Sequence, residues 1–81
     1  MTLTELKEKK QAYVTEKVDE IINYMTTNEK TMYKMSTCGN HSNWDKELHN
    51  AMPDISREAI SRGLTVTYEV NWGVSDWTFK V

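Results

Sequence analysis

Between residues 14 and 25 the apolar positions Val14, Val18, Ile21, Ile22 and Met25 recur at intervals of three and four, with charged and amide side chains filling most positions between. That spacing lays an apolar stripe along a helix, and such a stripe must face other protein. Thr2 followed by Glu5 forms a capping box, so the helix is expected to begin beside it. Extended backwards, the stripe meets Lys7 and Gln11, which predicts a more exposed beginning. Thr26-Thr27-Asn28-Glu29 then collects three poor helix formers and a second capping box, so a break or bend is expected there. Met32, Tyr33 and Met35 continue a weaker helical pattern towards Gly39, a suitable left-handed stop.

Ser42 reads as the cap of a further helix, with Asp45 adding negative charge at the positive end of its dipole. Trp44, Leu48, Ala51, Ile55 and Ala59 keep helical phase across Pro53. An interior proline removes a hydrogen bond, so two successive helices are expected, the second with Pro53 at its first position and Gly63 at its end.

From Leu64 the period shifts to two. Leu64, Val66, Tyr68 and Val70 alternate with polar residues, and beyond the turn Asn71-Trp72-Gly73-Val74-Ser75-Asp76 so do Trp77, Phe79 and Val81. The pattern therefore predicts one α+β domain over residues 1–81. Helices at about 3–36, 43–51 and 53–62 cover one face of an antiparallel β-hairpin at about 64–71 and 76–81.

Composition narrows the function classes. Ten basic against twelve acidic side chains give a net charge of −2, too weak a field to gather the protein on a polyanion and too weak for an acidic mimic of one. The 38% hydrophobic content, with three Trp, four Tyr and five Met, suits a small core. One cysteine makes no internal disulfide, and the first residues show no signal-peptide pattern, so a soluble cytoplasmic protein with no membrane association is expected.

The stretch TCGNHSNWDKELH, residues 37–49, holds Cys38, His41 and His49, with Asp45 between the histidines. A small metal-binding protein centred on Cys38, His41 and His49 is one reading. A structural zinc site, however, normally has close ligand pairs at both ends, and here a single C-x-x-H precedes one distant histidine. On one continuous helix His41, Asp45 and His49 would share a face, but Ser42 as a cap leaves His41 outside it. The stretch is therefore read as the junction between two helices, with no cofactor expected. A Cys38/His41 nucleophile pair lacks a third member to orient the base, and no phosphate loop or hydrolase elbow occurs, so no enzymatic activity is expected.

Hairpin aromatics could form a nucleic-acid stacking platform from Tyr68, Trp72, Trp77 and Phe79, but Lys80 is the only basic residue after Arg62. The stronger signal is the hairpin itself. Two strands alone are marginal and leave unpaired edges, the last running to Val81, where a strand of a second copy or of another protein could add. Two coverings would remove that opportunity: the long N-terminal helix, or a short third strand within residues 30–41. The reading is thus a non-enzymatic protein-binding module, an inhibitor, adaptor or regulator. Its expected surface comprises Trp72, Val74, Trp77, Lys80 and Val81 of the hairpin, with Tyr13 of the first helix. In texture the chain resembles phage-encoded accessory proteins that bind a host enzyme, a likeness of composition that assigns no functional residue.

Overall fold

Thr2 opens the first helix, α1 (Leu3–Thr27), its hydroxyl oxygen accepting the Glu5 amide at 3.2 Å. The Thr2 hydroxyl in turn donates to the Glu5 carboxylate. The expected bend at Thr26 is instead a full stop. Thr26 turns its hydroxyl back onto the carbonyls of Ile22 and Asn23, and Asn28 ends the helix. Glu29 then takes φ 53°, with Lys30 N–H donating to Met25 O at 2.8 Å and Glu29 N–H to Thr26 O. This is a Schellman motif, which turns the chain sharply and closes the helix end. The computed structural model describes residues 1–39 and 44–81.

The helix expected over residues 29–36 does not form. Met32–Thr37 is a strand, β1. Its residues also read with period two, Tyr33, Met35 and Thr37 turned inwards and Met32, Lys34 and Ser36 outwards, and the helix stop before them decides which period is used. Gly39, expected to end a helix, comes after this strand instead.

The second helix, α2 (Lys46–Ser61), is capped by Asp45, whose Oδ1 accepts the Leu48 amide at 3.0 Å. It begins later than the expected residue 43, and Ser42 and His41 lie outside the described residues. The predicted division at Pro53 is also corrected, because α2 runs unbroken through it. Buried Ala51 and Met52 before the proline and Ile55 and Ala59 after it lie against the same core, so packing on both sides offsets the missing hydrogen bond. A second Schellman motif ends α2: Gly63 at φ 96°, Leu64 N–H donating to Ala59 O and Gly63 N–H to Ile60 O. Replacing Asp45 by alanine should cost about 1 kcal/mol in chemical unfolding, since it removes the helix's side-chain cap. A variant as stable as the parent would show the cap to be idle.

The hairpin is formed by β2 (Thr65–Asn71) and β3 (Val74–Lys80). Its turn is tighter than expected, with only Trp72 and Gly73 between the strands. The strand order is β1-β3-β2, all antiparallel, so β3 is the central strand. This corrects the expectation that the last strand offers a free edge. Of the two possible coverings, the third strand within residues 30–41 is the one found. Both helices lie on one face of the sheet. The core joins Val14, Val18, Ile21 and Met25 of α1, Met52, Ile55 and Ala59 of α2, and Trp77 and Phe79 of β3, with Phe79 at 0% exposure in its centre. Ion pairs between the helices, Lys10 with Asp54 and Arg62 with Asp19, each at 2.8 Å, lie at the surface and add little.

Candidate functional site: the hairpin tip

The two turn residues have φ 55° at Trp72 and 78° at Gly73. Positive φ at both central positions is the type I′ turn, the form whose twist matches that of paired strands. Glycine meets the demand at the second position without strain. At the first, asparagine, aspartate or glycine is the usual occupant, and a bulky side chain costs about 1–2 kcal/mol in this left-handed conformation. Trp72 occupies it nonetheless, and its side chain is fully exposed, 102% of the reference value. The fold therefore tolerates a strained residue that contributes no burial in return.

Beside the tip, β2 adds Val70, 59% exposed, and Tyr68, 60% exposed, on the face of the sheet that carries the core. One side of Tyr68 is stacked on Trp77, with ring centroids 4.6 Å apart and planes 22° from parallel, so the phenol is held rather than free to swing. Trp77 is itself anchored from below. Its indole N–H donates to Thr37 Oγ1 at 3.0 Å, and Thr37 lies 2.9 Å from His49 Nδ1. An indole N–H can only donate, so the threonine oxygen accepts it, and the hydroxyl's hydrogen or its second lone pair meets the histidine according to the imidazole tautomer. Because Thr37 is buried, Thr37→Val is expected to strand the indole N–H and cost about 2 kcal/mol of folding stability, whereas Thr37→Ser should retain most of it. Equal stability of the valine and parent proteins in urea titrations would contradict this linkage.

The structure separates the residues expected to form one surface. Trp72 and Val74 are at the tip. Lys80 and Val81 are at the far end of β3, about 20 Å away at the usual rise of a strand. Lys80 lies on the open face of the sheet, and Val81 beside Ile22, Met25 and Leu64. Trp77 is buried, supporting Tyr68 from within. Tyr13 is half-buried on α1 under the Lys17 ammonium, 5.4 Å from its ring centre, and burial, assisted by the Asp45 carboxylate, raises its phenol above the ordinary range. Of the residues expected to form that surface the structure places Trp72 and Val74 at the tip, with Tyr68 and Val70, which that expectation did not include, exposed on β2. Alternation could not find them, because it assigned both to a covered face, and only the limited reach of the helices leaves them open.

The aromatic platform is also reduced, since Trp77 and Phe79 are taken by the core and the exposed aromatics left on the hairpin are Tyr68 and Trp72. Asp45 is committed to its helix and Cys38 is buried, while among the described residues no three of His, Cys, Asp and Glu come together as a metal site would need. No helix among the described residues is long and apolar enough to cross a membrane. No family model, curated protein or solved structure matches the chain.

Proposed function

We propose that the chain is a small, non-enzymatic, cytoplasmic protein-binding module that inserts Trp72, flanked by Val70 and Tyr68, into an apolar pocket of another protein and thereby regulates it. The observation that carries this reading is the strained, fully exposed tryptophan in a turn where asparagine or glycine would fold more easily. Backbone strain that gives nothing to folding is characteristic of functional positions. A rigid indole with two rotatable bonds is the side chain most enriched among residues that dominate interfaces, and a tight turn presents it with little further entropy to lose. Stacked Tyr68 extends the apolar contact next to it.

Affinity capture from the native cell, run in parallel with the parent chain and with Trp72→Asn, tests this. One or a few specific proteins should be held by the parent and lost with the variant. If the two baits retain the same set, the tip is not the binding surface.

A further inference from the structure

The sheet has two outer edges, and their hydrogen-bonding inventories differ in a way that selects an occupant. Asn71 and Val74 flank the two-residue turn and form its hydrogen-bonded closing pair, so along β2 the amides and carbonyls of Thr65, Thr67, Glu69 and Asn71 point to β3. Those of Val66, Tyr68 and Val70 point outwards, and among the described residues no strand pairs with them. The same phase holds across β3, where Val81 N–H donates to Thr31 O on the opposite side. On β1 the outward residues are therefore Met32, Lys34 and Ser36.

We infer that a second copy of this chain adds at β2, antiparallel, with the two-fold axis through Tyr68, joining two three-stranded sheets into one of six strands. In that register every outward amide and carbonyl of Val66, Tyr68 and Val70 meets its counterpart: Val66 opposite Val70 of the second copy, and Tyr68 opposite Tyr68. On the core side the exposed Tyr68 and Val70 side chains become covered. On the open side Thr67 faces Glu69 of the second copy and Thr65 faces Asn71, hydroxyls against a carboxylate and an amide.

Charge and hydrogen bonding count against the two neighbouring registers, and the Tyr68 axis pairs more of the outward groups than one through Val66 or Val70. An axis through Glu69 would set two carboxylates directly opposite each other. An axis through Thr67 would call on the Leu64 amide, which already donates to Ala59 O at 3.0 Å. At the β1 edge the symmetrical register runs through Lys34 and opposes two ammonium groups, the usual protection of an edge strand. β2 carries neither lysine nor proline. Strand pairing alone covers less than a standard interface, so the dimer is weak and concentration-dependent. Trp72 stays outside the pairing, so the dimer does not depend on the indole, whereas Tyr68 and Val70 serve either the dimer or the contact proposed beside the tip, and the two states compete for them.

Sedimentation equilibrium of the whole chain over a wide concentration range, on the parent and three variants, decides the matter. The parent should pass from monomer to dimer as concentration rises. Val70→Pro removes an outward N–H that the hairpin does not use, and should weaken the dimer at least tenfold with an unchanged circular dichroism spectrum. Tyr68→Lys, which sets two ammonium groups on the axis, should do the same. Thr67→Lys brings an ammonium opposite Glu69 of the second copy and should tighten the dimer several-fold. A parent that stays monomeric throughout, or a dimer unaffected by Tyr68→Lys and weakened by Thr67→Lys, would overturn the inference.

Discussion

Truncating Phe79 to alanine is expected to remove a large part of the protein's folding stability. The ring is wholly buried, and its neighbours come from every layer: Tyr33 with its ring centre 6.3 Å away, Val66 directly across on β2, and the helices above. Phe→Ala at such a site removes the transfer energy of the ring and leaves a cavity, together about 3–5 kcal/mol. A domain of this length has a total stability of roughly 4–12 kcal/mol, so a parent at the bottom of that range would unfold and one in the middle would lose about half its stability. The midpoint of urea unfolding, followed by near-ultraviolet circular dichroism, should fall by the equivalent of that loss. A variant that keeps a cooperative transition within about 1 kcal/mol of the parent would show that the core is centred elsewhere, or that Tyr33 and Met52 can close over the gap.

Trp72→Asn is expected to move two properties in opposite directions. Asparagine followed by Gly73 is among the best type I′ turn pairs, so the substitution should stabilise the hairpin by about 1 kcal/mol. The same change removes the side chain that the proposed contact uses, and loss of a central tryptophan commonly costs about 2 kcal/mol or more of binding energy, at least about thirtyfold in affinity. Binding to the captured partner, measured by calorimetry against parent and variant, should show that loss. If the variant binds as tightly as the parent, the tip contributes no contact.

The elements with strong local signals were legible in the sequence. The α1 stripe, the Gly63 stop and the alternation of β2 and β3 depend on side-chain period and glycine chemistry, both written within a few residues. Three features were not, each for a physical reason. Residues 32–37 satisfy both periods weakly, and the choice lies in the Glu29 Schellman turn, where a non-glycine residue takes a positive φ that composition does not announce. Pro53 reads as a boundary because the cost of an interior proline is local, while the packing that offsets it comes from α1 and the sheet. Ser42 reads as the start of α2 when Asp45, three residues later, makes the cap; both side chains suit the role and the sequence does not rank them.

The candidate site was legible in part. An indole at a predicted turn stood out, and the structure places it there with the tighter geometry of a two-residue loop. The free margin of the sheet was assigned to β3, because a two-stranded reading makes the last strand an edge. Once β1 pairs there, the open margins are those of β1 and β2, and the exposed Tyr68 and Val70 lie on the second.

All that is proposed for the tip rests on Trp72 being kept at the turn against the interest of folding. Urea unfolding of the parent and of Trp72→Asn, measured side by side by far-ultraviolet circular dichroism, is the decisive comparison. The variant should unfold at a higher midpoint with an unchanged slope, a gain of about 1 kcal/mol. A variant less stable than the parent would mean that the indole supports the fold, and its exposure could no longer be read as function.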